Sequence, residues 1–187
     1  MRAINVKAFA GSMLAALLCL SQVAAASGLD PALQASVTAK IKEVKAWAAD
    51  PAIVSAVKEY NTSKAPQAAS MDQARWTNTS VIDPFVRGLT KTPAAQVLKT
   101  KRGEVVSEAF LSGADGGKVA FLGKPTNWSH QGKPKHDLPM SGKTWQGDIE
   151  VDESSGLRQL QIAVPVLDGR KPIGSLVVGL SVGQLVK

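Results

Sequence analysis

The stretch from residue 160 to residue 180 limits the folds open to this chain more than any other part of the sequence. Residues 160–167 and 173–180 are both dense in Ile, Val and Leu, and they flank Asp168-Gly169-Arg170-Lys171. An Asp-Gly pair between two such segments is a strong signal for a β-hairpin, because glycine readily adopts the left-handed backbone of a tight turn. We therefore predict an antiparallel hairpin near the end of the chain, approached by a further strand that starts near Thr144.

The first third of the chain has the pattern of helices. Asp30-Pro31 is typical of a helix start, because the carboxylate can cap the first turn. Proline is tolerated there because an N–H at that position would have no partner inside the helix. Asp50-Pro51 repeats this start. The apolar residues after each start recur mostly at spacings of three and four, which predicts one buried face per helix. They are Leu33, Val37, Ile41, Val44 and Trp47, then Ile53, Val54, Val57 and Tyr60.

Shorter elements follow in the middle of the chain. We predict a polar loop at residues 61–70 and three short helices at residues 72–76, 81–89 and 92–100. A hairpin with a glycine-rich loop is predicted at residues 105–122. The two strands of this hairpin are expected at residues 105–111 and 118–122. Helices first and an antiparallel sheet after them predict an α+β fold.

Residues 123–142 form the longest stretch without a regular pattern. They are rich in Pro, Gly and polar residues, and an irregular stretch of this length inside a domain is more often a binding or lid loop than disorder. Trp128 lies within it and Trp145 just after it, near Asn127, His130 and Gln131. Aromatic walls with a few polar groups suit a small-molecule pocket. Core packing is the alternative for both tryptophans, and it is the preferred interpretation of Trp145.

The N-terminus predicts export. Arg2 and Lys7 precede an apolar run at residues 8–20 that is too short to span a bilayer comfortably, and small residues follow it as far as Ser27. This is the pattern of a signal peptide, predicted at residues 1–26 with cleavage near Ala26. Residues 27–187 are then expected to form one domain that is periplasmic or secreted.

Composition excludes several classes of function. Cys19 is the only cysteine and lies in the predicted signal peptide, so the mature chain is expected to have no disulfide, no thiolate catalysis and no covalent haem. Loss of Arg2 and Lys7 reduces the 22 basic residues to 20, against 15 acidic ones. These charges are spread along the chain without a basic run, so nucleic acid is not a predicted partner.

Few residues suggest a metal site or catalysis. His130 and His136 are the only histidines, and with Asp137 they match no familiar zinc spacing. Asp148 and Glu150 alternate on the strand expected after residue 144, which predicts an exposed acidic face rather than a calcium loop. Neither a metal nor a cofactor is predicted. An exported enzyme of hydrolytic type, using these acids or the two histidines, stays an alternative.

Several segments of the C-terminal half carry a resemblance to a known family. Asp152-Glu153-Ser154 precedes the strand Gln161-Ile162-Ala163-Val164-Pro165-Val166, and Asp168 precedes Ile173-Gly174. Residues 126–134 read T-N-W-S-H-Q-G-K-P, a degraded match to the run T-S-D-Y-W-Q-G-D-E that lacks its acids. In this order the segments resemble the extracytoplasmic PAS-like sensor domains called Cache or PDC domains, in their single-domain form.

The resemblance implies both a fold and a role. The fold would be a long N-terminal helix and short helices followed by a five-stranded antiparallel PAS-like (Cache) sheet, with residues 27–187 as a single Cache/PDC-like sensor domain. The role would be signal transduction without catalysis. A small organic ligand would bind between the sheet and residues 123–142, and the signal would pass to a separate membrane partner such as a histidine kinase, a cyclase or a chemoreceptor.

The resemblance also directs attention to particular side chains. The expected ligand-binding residues are Arg75, Asn127, Trp128, His130, Gln131 and Trp145. Because the acids of the family motif are missing while Lys133, His130 and Arg75 are present, we expect an anion such as a carboxylate rather than an amine. A structural partner-binding domain without any ligand is a further alternative.

Overall fold

The computed structural model describes residues 28–151, residue 156 and residues 158–186. The signal peptide predicted at residues 1–26 and the motif Asp152-Glu153-Ser154 lie outside these residues, so both stay predictions. Within the described part of the chain, no helix has the length and apolar character that crossing a membrane requires.

The described residues form eight helices and five strands. The helices that precede the sheet are α1 (Pro31–Ala48), α2 (Pro51–Thr62), α3 (Pro66–Ala69), α4 (Gln73–Asn78), α5 (Pro84–Leu89) and α6 (Pro93–Lys101). The remaining elements are β1 (Val106–Ser112), β2 (Lys118–Phe121), α7 (Pro134–Met140), β3 (Trp145–Val151), β4 (Arg158–Asp168), β5 (Lys171–Ser181) and α8 (Val182–Leu185).

The two long helices begin where the Asp-Pro pairs predict. Asp30 Oδ1 accepts a hydrogen bond from the N–H of Ala32 at 2.9 Å, and Asp50 Oδ1 accepts one from the N–H of Ala52 at 3.0 Å. Such caps satisfy N–H groups that have no partner inside the helix. The start of each helix is therefore encoded locally.

The five strands form one antiparallel sheet in the order β2-β1-β5-β4-β3. β4 and β5 pair as far as Asp168 opposite Lys171, with Gly169 at a φ of 60° in the turn. The hairpin predicted from the Asp-Gly pair is confirmed, and so is the hairpin of β1 and β2. The predicted α+β class with a five-stranded antiparallel sheet is also confirmed.

Three details of the predicted elements are wrong. α3 lies inside the predicted polar loop, α7 lies inside the stretch predicted to be irregular, and α5 begins at Pro84 rather than at residue 81. Asp83 caps α5 by accepting a hydrogen bond from the N–H of Phe85 at 2.8 Å, which fixes the start of this helix. α3 and α7 have only four and seven residues, which is too few for a helical repeat to show in the sequence.

The two faces of the sheet differ in chemistry, and this difference positions the candidate site. The apolar face packs against α1 and α2, where Gly174 lies against Val57. Its central residues are fully buried, namely Leu160, Ile162, Val164, Leu176, Val178 and Leu180. The polar face carries the alternate residues, and the side chains of Gln161 and Ser175 there reach α7.

Candidate functional site

Four basic side chains lie together between the polar face and the residues that cover it. We call them the basic cluster: Lys118 at the start of β2, His130, and Lys135 and His136 on α7. We call residues 123–142 the cover segment. Lys118, His130 and His136 are 0%, 5% and 1% exposed, and Lys135 is half-buried. Because ionisable groups are seldom enclosed so deeply, the basic cluster is the first candidate for a functional site.

The Lys118 ammonium has three acceptors and no acid beside it. Its Nζ is 3.0 Å from the carbonyl oxygen of Gly116, 3.2 Å from Ser112 Oγ and 2.8 Å from His130 Nδ1. No carboxylate of the described residues forms an ion pair with Lys118. Burial, and then the positive charge of Lys135, lowers the pKa of Lys118 to about 7. Lys118 therefore gains or loses its proton near neutral pH.

The imidazole of His130 separates Lys118 from the outside. It stacks on the ring of Phe110 with the ring centres 4.8 Å apart and an angle of 13° between the planes. Burial, and then the positive charges of Lys118 and Lys135, lowers the pKa of His130 to about 3. His130 is therefore neutral at neutral pH, and its Nδ1 can accept a hydrogen bond from the Lys118 ammonium.

His136 fastens α7 to the sheet. Its Nε2 lies 3.3 Å from the carbonyl oxygen of Ala114, which can only accept, so Nε2 donates. Its Nδ1 lies 2.8 Å from Ser175 Oγ, which then donates to it. Burial lowers the pKa of His136, in agreement with this neutral form. Both ring nitrogens are therefore occupied in holding α7 on the polar face.

Lys135 extends the positive charge toward β3. Its Nζ donates to Gln161 Oε1, and Gln161 Nε2 in turn donates to Glu108 Oε1. The same Nζ lies 5.9 Å from the centre of the Trp145 ring. Burial lowers the pKa of Lys135. Lys135 is thus connected to the carboxylate of Glu108 only through the side-chain amide of Gln161.

The turn between β1 and β2, residues 113–117, holds the cover segment in place. The carbonyl oxygen of Gly116 accepts a hydrogen bond from the N–H of His130 at 3.2 Å, and that of Asp115 accepts one from Ser129 Oγ at 2.7 Å. Gly116 has a φ of 77°, and a β-carbon there would overlap the backbone nitrogen of Gln131. The close contact between the turn and the cover segment therefore requires glycine.

Asp115 of this turn is paired with α2 rather than with the basic cluster. Its carboxylate accepts a hydrogen bond from Lys64 Nζ, and the hydroxyl of Tyr60 lies 3.5 Å from it. Burial alone would raise the pKa of Asp115, but hydrogen bonds from Lys64 and from the N–H of Gly117 lower it. Burial, followed by the charge of Asp115, raises the pKa of Tyr60. The acid nearest to Lys118 is therefore already neutralised by another lysine.

A cleft of about 420 Å³, which we call the outer cleft, lies on the outer side of the cover segment. Three of the predicted ligand-binding residues line it, namely Asn127, Trp128 and Gln131. His130 stands between Ser129 and Gln131, both of which line the outer cleft, while its own ring contacts Lys118. The outer cleft and the basic cluster are therefore separated by one short piece of the cover segment.

Trp128 forms the apolar wall of the outer cleft and also belongs to the core. It is 5% exposed, and its ring centre lies 5.1 Å from that of Trp76 and 5.9 Å from that of Phe85. The indole of Trp76 donates to the carbonyl oxygen of Pro125 at 2.7 Å, which ties the start of the cover segment to α4. The two interpretations of Trp128 from the sequence, wall and core, thus describe one position.

The other two predicted ligand-binding residues lie apart from the outer cleft. Arg75 is exposed on α4, where its Nη1 donates to the carbonyl oxygen of Ser70 at 2.8 Å. Trp145 is half-buried on β3 beside Lys135. The structure brings Asn127, Trp128, His130 and Gln131 together and leaves Arg75 and Trp145 on either side of them.

The residues considered for metal binding lie apart or have other partners. His130 Nδ1 faces a lysine, and Asp137 accepts a hydrogen bond from the N–H of Gly132 at 3.0 Å. Over the described residues, no three side chains of the types His, Cys, Asp or Glu come close enough to hold a metal ion. Asp148 and Glu150 are exposed on β3. They lie on a solvated strand face, as the alternation suggested.

The sequence reasoning missed Lys118, Lys135 and Ser175. Ser175 gave the clearest signal, because it is the single polar side chain in the apolar run 173–180. Lys118 gave almost none, since a lysine at the start of an edge strand usually faces solvent and prevents sheets from pairing. Lys135 lies on α7, which the sequence did not predict as a helix.

This chain has one five-stranded antiparallel sheet, with long N-terminal helices on one face and a cover segment on the other. This architecture is the fold of Cache, or PDC, sensor domains. The sensor domain of the V. cholerae histidine kinase DctB is similar in structure, with a TM-score of 0.50 and 16% sequence identity, over 82% of this chain and 53% of that chain. The ligand-binding domain of the Pseudomonas aeruginosa amino acid chemoreceptor PctC, in complex with GABA, has a TM-score of 0.47 and 11% identity, over 82% and 56%.

These similarities are structural only. No protein-family model matches the sequence, and no curated protein matches it. The chain spans about half the length of these two proteins, because the match covers 53% of the first chain and 56% of the second. At 16% identity the likeness to the kinase sensor domain establishes the fold. Function has to be argued from the site itself.

Proposed function

We propose that this chain is a periplasmic or secreted sensor domain that binds a small organic anion and acts without catalysis. A carboxylate is the proposed class of ligand. The proposed binding region is the polar face beneath the cover segment, reached through the outer cleft. Binding would change the position of the cover segment, and a separate membrane partner, such as a histidine kinase, a cyclase or a chemoreceptor, would read that change.

The observation that carries this proposal is the buried Lys118. A cation enclosed among neutral acceptors lowers stability, because its lost hydration is not replaced by an opposite charge. An anion bound beside Lys118, near Lys135 and His136, would supply the missing negative charge.

The residues of the proposed site include those expected from the sequence. Asn127, Trp128 and Gln131 would contact the ligand from the outer cleft, and His130 would contact it from the inside. Lys118 is added to this set because of its burial. Arg75 and Trp145 stay predictions, and a ligand long enough to extend past α7 would be needed to reach Trp145.

A thermal-shift screen tests the proposal. We expect small carboxylates to raise the melting temperature more than their own primary amides or the matching amines, because only the carboxylate supplies a charge to Lys118. A carboxylate present at about 100 times its Kd stabilises the folded state by about 2.7 kcal/mol, which is about 5–11 °C for a domain of this size. Equal shifts from amines and carboxylates would contradict an anion site.

One observation favours the alternative of a structural partner-binding domain. Every buried side-chain nitrogen and oxygen in the described part of the chain already has a hydrogen-bond partner. An interior satisfied in this way needs no ligand. The same screen decides between the two functions, because a purely structural domain is expected to show no shift with any small molecule.

A further inference from the structure

Lys118 differs from the other members of the basic cluster in what it contacts. Both ring nitrogens of His136 have partners, Ser175 of the sheet and Ala114 of the β1–β2 turn. Lys135 is joined to Glu108 through Gln161. Lys118 has only Gly116 and Ser112 of its own hairpin, and His130 of the cover segment. Of these contacts, only His130 can leave without breaking the β1–β2 hairpin.

We propose that Lys118 is the residue that selects the ligand by charge, and that it takes up a proton as the anion binds. The anionic group of the ligand would replace His130 Nδ1 at Lys118 Nζ, and the ammonium would then donate to the anion, to Gly116 and to Ser112. This inference rests on the proposed function, because it assigns charge selection and proton uptake at the proposed anion site to one residue.

The path from the outer cleft to Lys118 is short. His130 lies between Ser129 and Gln131, which line the outer cleft, so outward movement of this one side chain would join the outer cleft to Lys118. Gly132 follows with a φ of 81°, and its N–H donates to Asp137 Oδ1 at 3.0 Å, so a movement of His130 would also act on this turn. The stacking of His130 on Phe110 is the main contact that such a movement would break.

The charges that face Lys118 come from three directions, and the positive charge of Lys135 among them helps to keep its pKa low before a ligand binds. Lys135 and His136 lie on α7, and Lys133 lies in the cover segment before it, so all the basic groups are on the covering side. Asp115 is the acid of the β1–β2 turn, and it is paired with Lys64. Asp72 and Asp115 line the outer cleft, and an anion that passes them would be the first negative charge in direct contact with Lys118.

The proton balance follows from the protonation of Lys118. Because its pKa is about 7, Lys118 is mostly neutral at a pH of about 8 and mostly charged at a pH of about 6. A bound carboxylate stabilises the charged form, so binding at the higher pH must bring in up to one proton from the solvent. Affinity for the carboxylate should therefore fall about tenfold per pH unit above neutrality and level off below it.

Calorimetry on the wild-type protein is the first test. Binding of acetate, propionate and benzoate is measured at a pH of about 6 and about 8, each in two buffers that differ in ionisation enthalpy. The expected result is an uptake close to one proton per carboxylate at the higher pH and close to none at the lower. A carboxylate that binds equally at both pH values without proton uptake would overturn the inference.

Substitution of the lysine is the second test. Lys118→Met keeps the length of the side chain without its charge, and we expect carboxylate affinity to fall at least about tenfold and to lose its pH dependence. Lys143→Met is the matched control, since Lys143 is exposed just after α7, and its pH profile should follow the wild type. If Lys118→Met does not fold, the calorimetric proton number alone decides.

The outcomes separate the inference from the function on which it rests. If carboxylates bind both the wild type and Lys118→Met with the same flat pH profile, the anion sensor stands and Lys118 is not its selecting residue. If no carboxylate binds the wild type between a pH of about 6 and about 8, the proposed function fails, and the inference fails with it.

Discussion

At the scale of single residues, the unusual feature of this protein is a lysine and a histidine that share an enclosed site. Lys118 Nζ and His130 Nδ1 are 2.8 Å apart, and burial disfavours the charged form of each. The two groups cannot both carry a charge at this distance without strong repulsion. Neutral His130 is therefore the partner that allows Lys118 to be protonated inside the domain.

His130→Asn tests the electrostatic cost of this histidine. The pKa of His130 is about 3 in the folded protein and near 6.5 in the unfolded chain, so the unfolded chain binds more protons between these values. The free energy of unfolding of the wild type should then fall as the pH drops below about 6.5, by up to about 1.4 kcal/mol per pH unit. Asn keeps an acceptor for Lys118 but does not titrate, so the variant should lose less stability in acid.

Urea unfolding at a pH of about 7 and at a pH of about 5 measures this difference. At a pH of about 7, His130 is mostly neutral in both the folded and the unfolded state. The difference in unfolding free energy between the two proteins there reflects their contacts and not the titration of His130. Parallel loss of stability in acid by wild type and variant would show that His130 is not enclosed as described.

At the scale of elements, the β1–β2 turn joins three parts of the domain. Its backbone binds the cover segment through His130 and Ser129, and Asp115 binds Lys64 just beyond α2. The cover segment and the end of α2 are therefore both attached to the same short turn. A change in the cover segment can reach α2 through this turn, which makes its geometry one element-scale control point of the proposed sensor.

Gly116→Ala should displace the cover segment. Alanine at a φ of 77° is strained by about 1–2 kcal/mol, and its β-carbon would also overlap the backbone of Gln131. Gly132→Ala is the matched control, because Gly132 has a φ of 81° but no neighbour within 4 Å. We expect Gly116→Ala to lower the free energy of unfolding by at least about 1 kcal/mol more than the control.

Hydrogen exchange of the amides in residues 128–133 locates the effect. In Gly116→Ala the N–H of His130 should exchange faster, because its hydrogen bond to the Gly116 carbonyl is disturbed, whereas Gly132→Ala should leave it protected. Equal loss of stability in the two variants would mean that strain at a positive φ is the whole effect and that the contact with Gln131 is unimportant.

At the scale of the whole molecule, the two faces of one sheet are covered by different kinds of contact. The apolar face is closed by α1 and α2 over fully buried Leu, Ile and Val side chains. The polar face is closed by the cover segment, which includes α7, through buried hydrogen bonds of His130 and His136 and through the ring contacts of Trp128 and His130. Hydrogen bonds contribute modest net stability, while apolar burial provides most of it. The apolar face is therefore expected to contribute more to stability than the hydrogen bonds on the polar face.

Two neighbouring residues of β5 test this asymmetry. Leu176 points to the apolar face and Ser175 to the polar face, where it bonds His136. Leu176→Ala should lower the free energy of unfolding by about 2–5 kcal/mol because it leaves a cavity in the core. Ser175→Ala should cost about 1–3 kcal/mol, because it leaves the buried Nδ1 of His136 without its donor. Denaturant unfolding of both variants measures the difference, and similar costs would show that the two faces contribute equally.

Much of the fold could be predicted from the sequence because its signals are local. Asp30 and Asp50 cap the helices that follow them, and Asp168-Gly169 forms the turn that follows from its own backbone preferences. α7 could not be predicted, because seven residues with prolines at positions 134 and 139 show no helical period. Its packing on β5 and β4 holds it in place. Short helices of this kind depend on tertiary contacts rather than on propensity.

For the candidate site, the sequence located the region and the residue types, since the cover segment and His130 with its neighbours were both expected to bind a ligand. The order of the elements, their caps and the two hairpins are likewise determined by residues close to one another in the chain. Tertiary structure alone decided which charge is buried. Lys118 and His130 are twelve positions apart, and they meet only because β2 begins beside Ser112 while the cover segment returns over the sheet. Burial and the electrostatics that follow from it depend on such distant contacts, which no local pattern encodes.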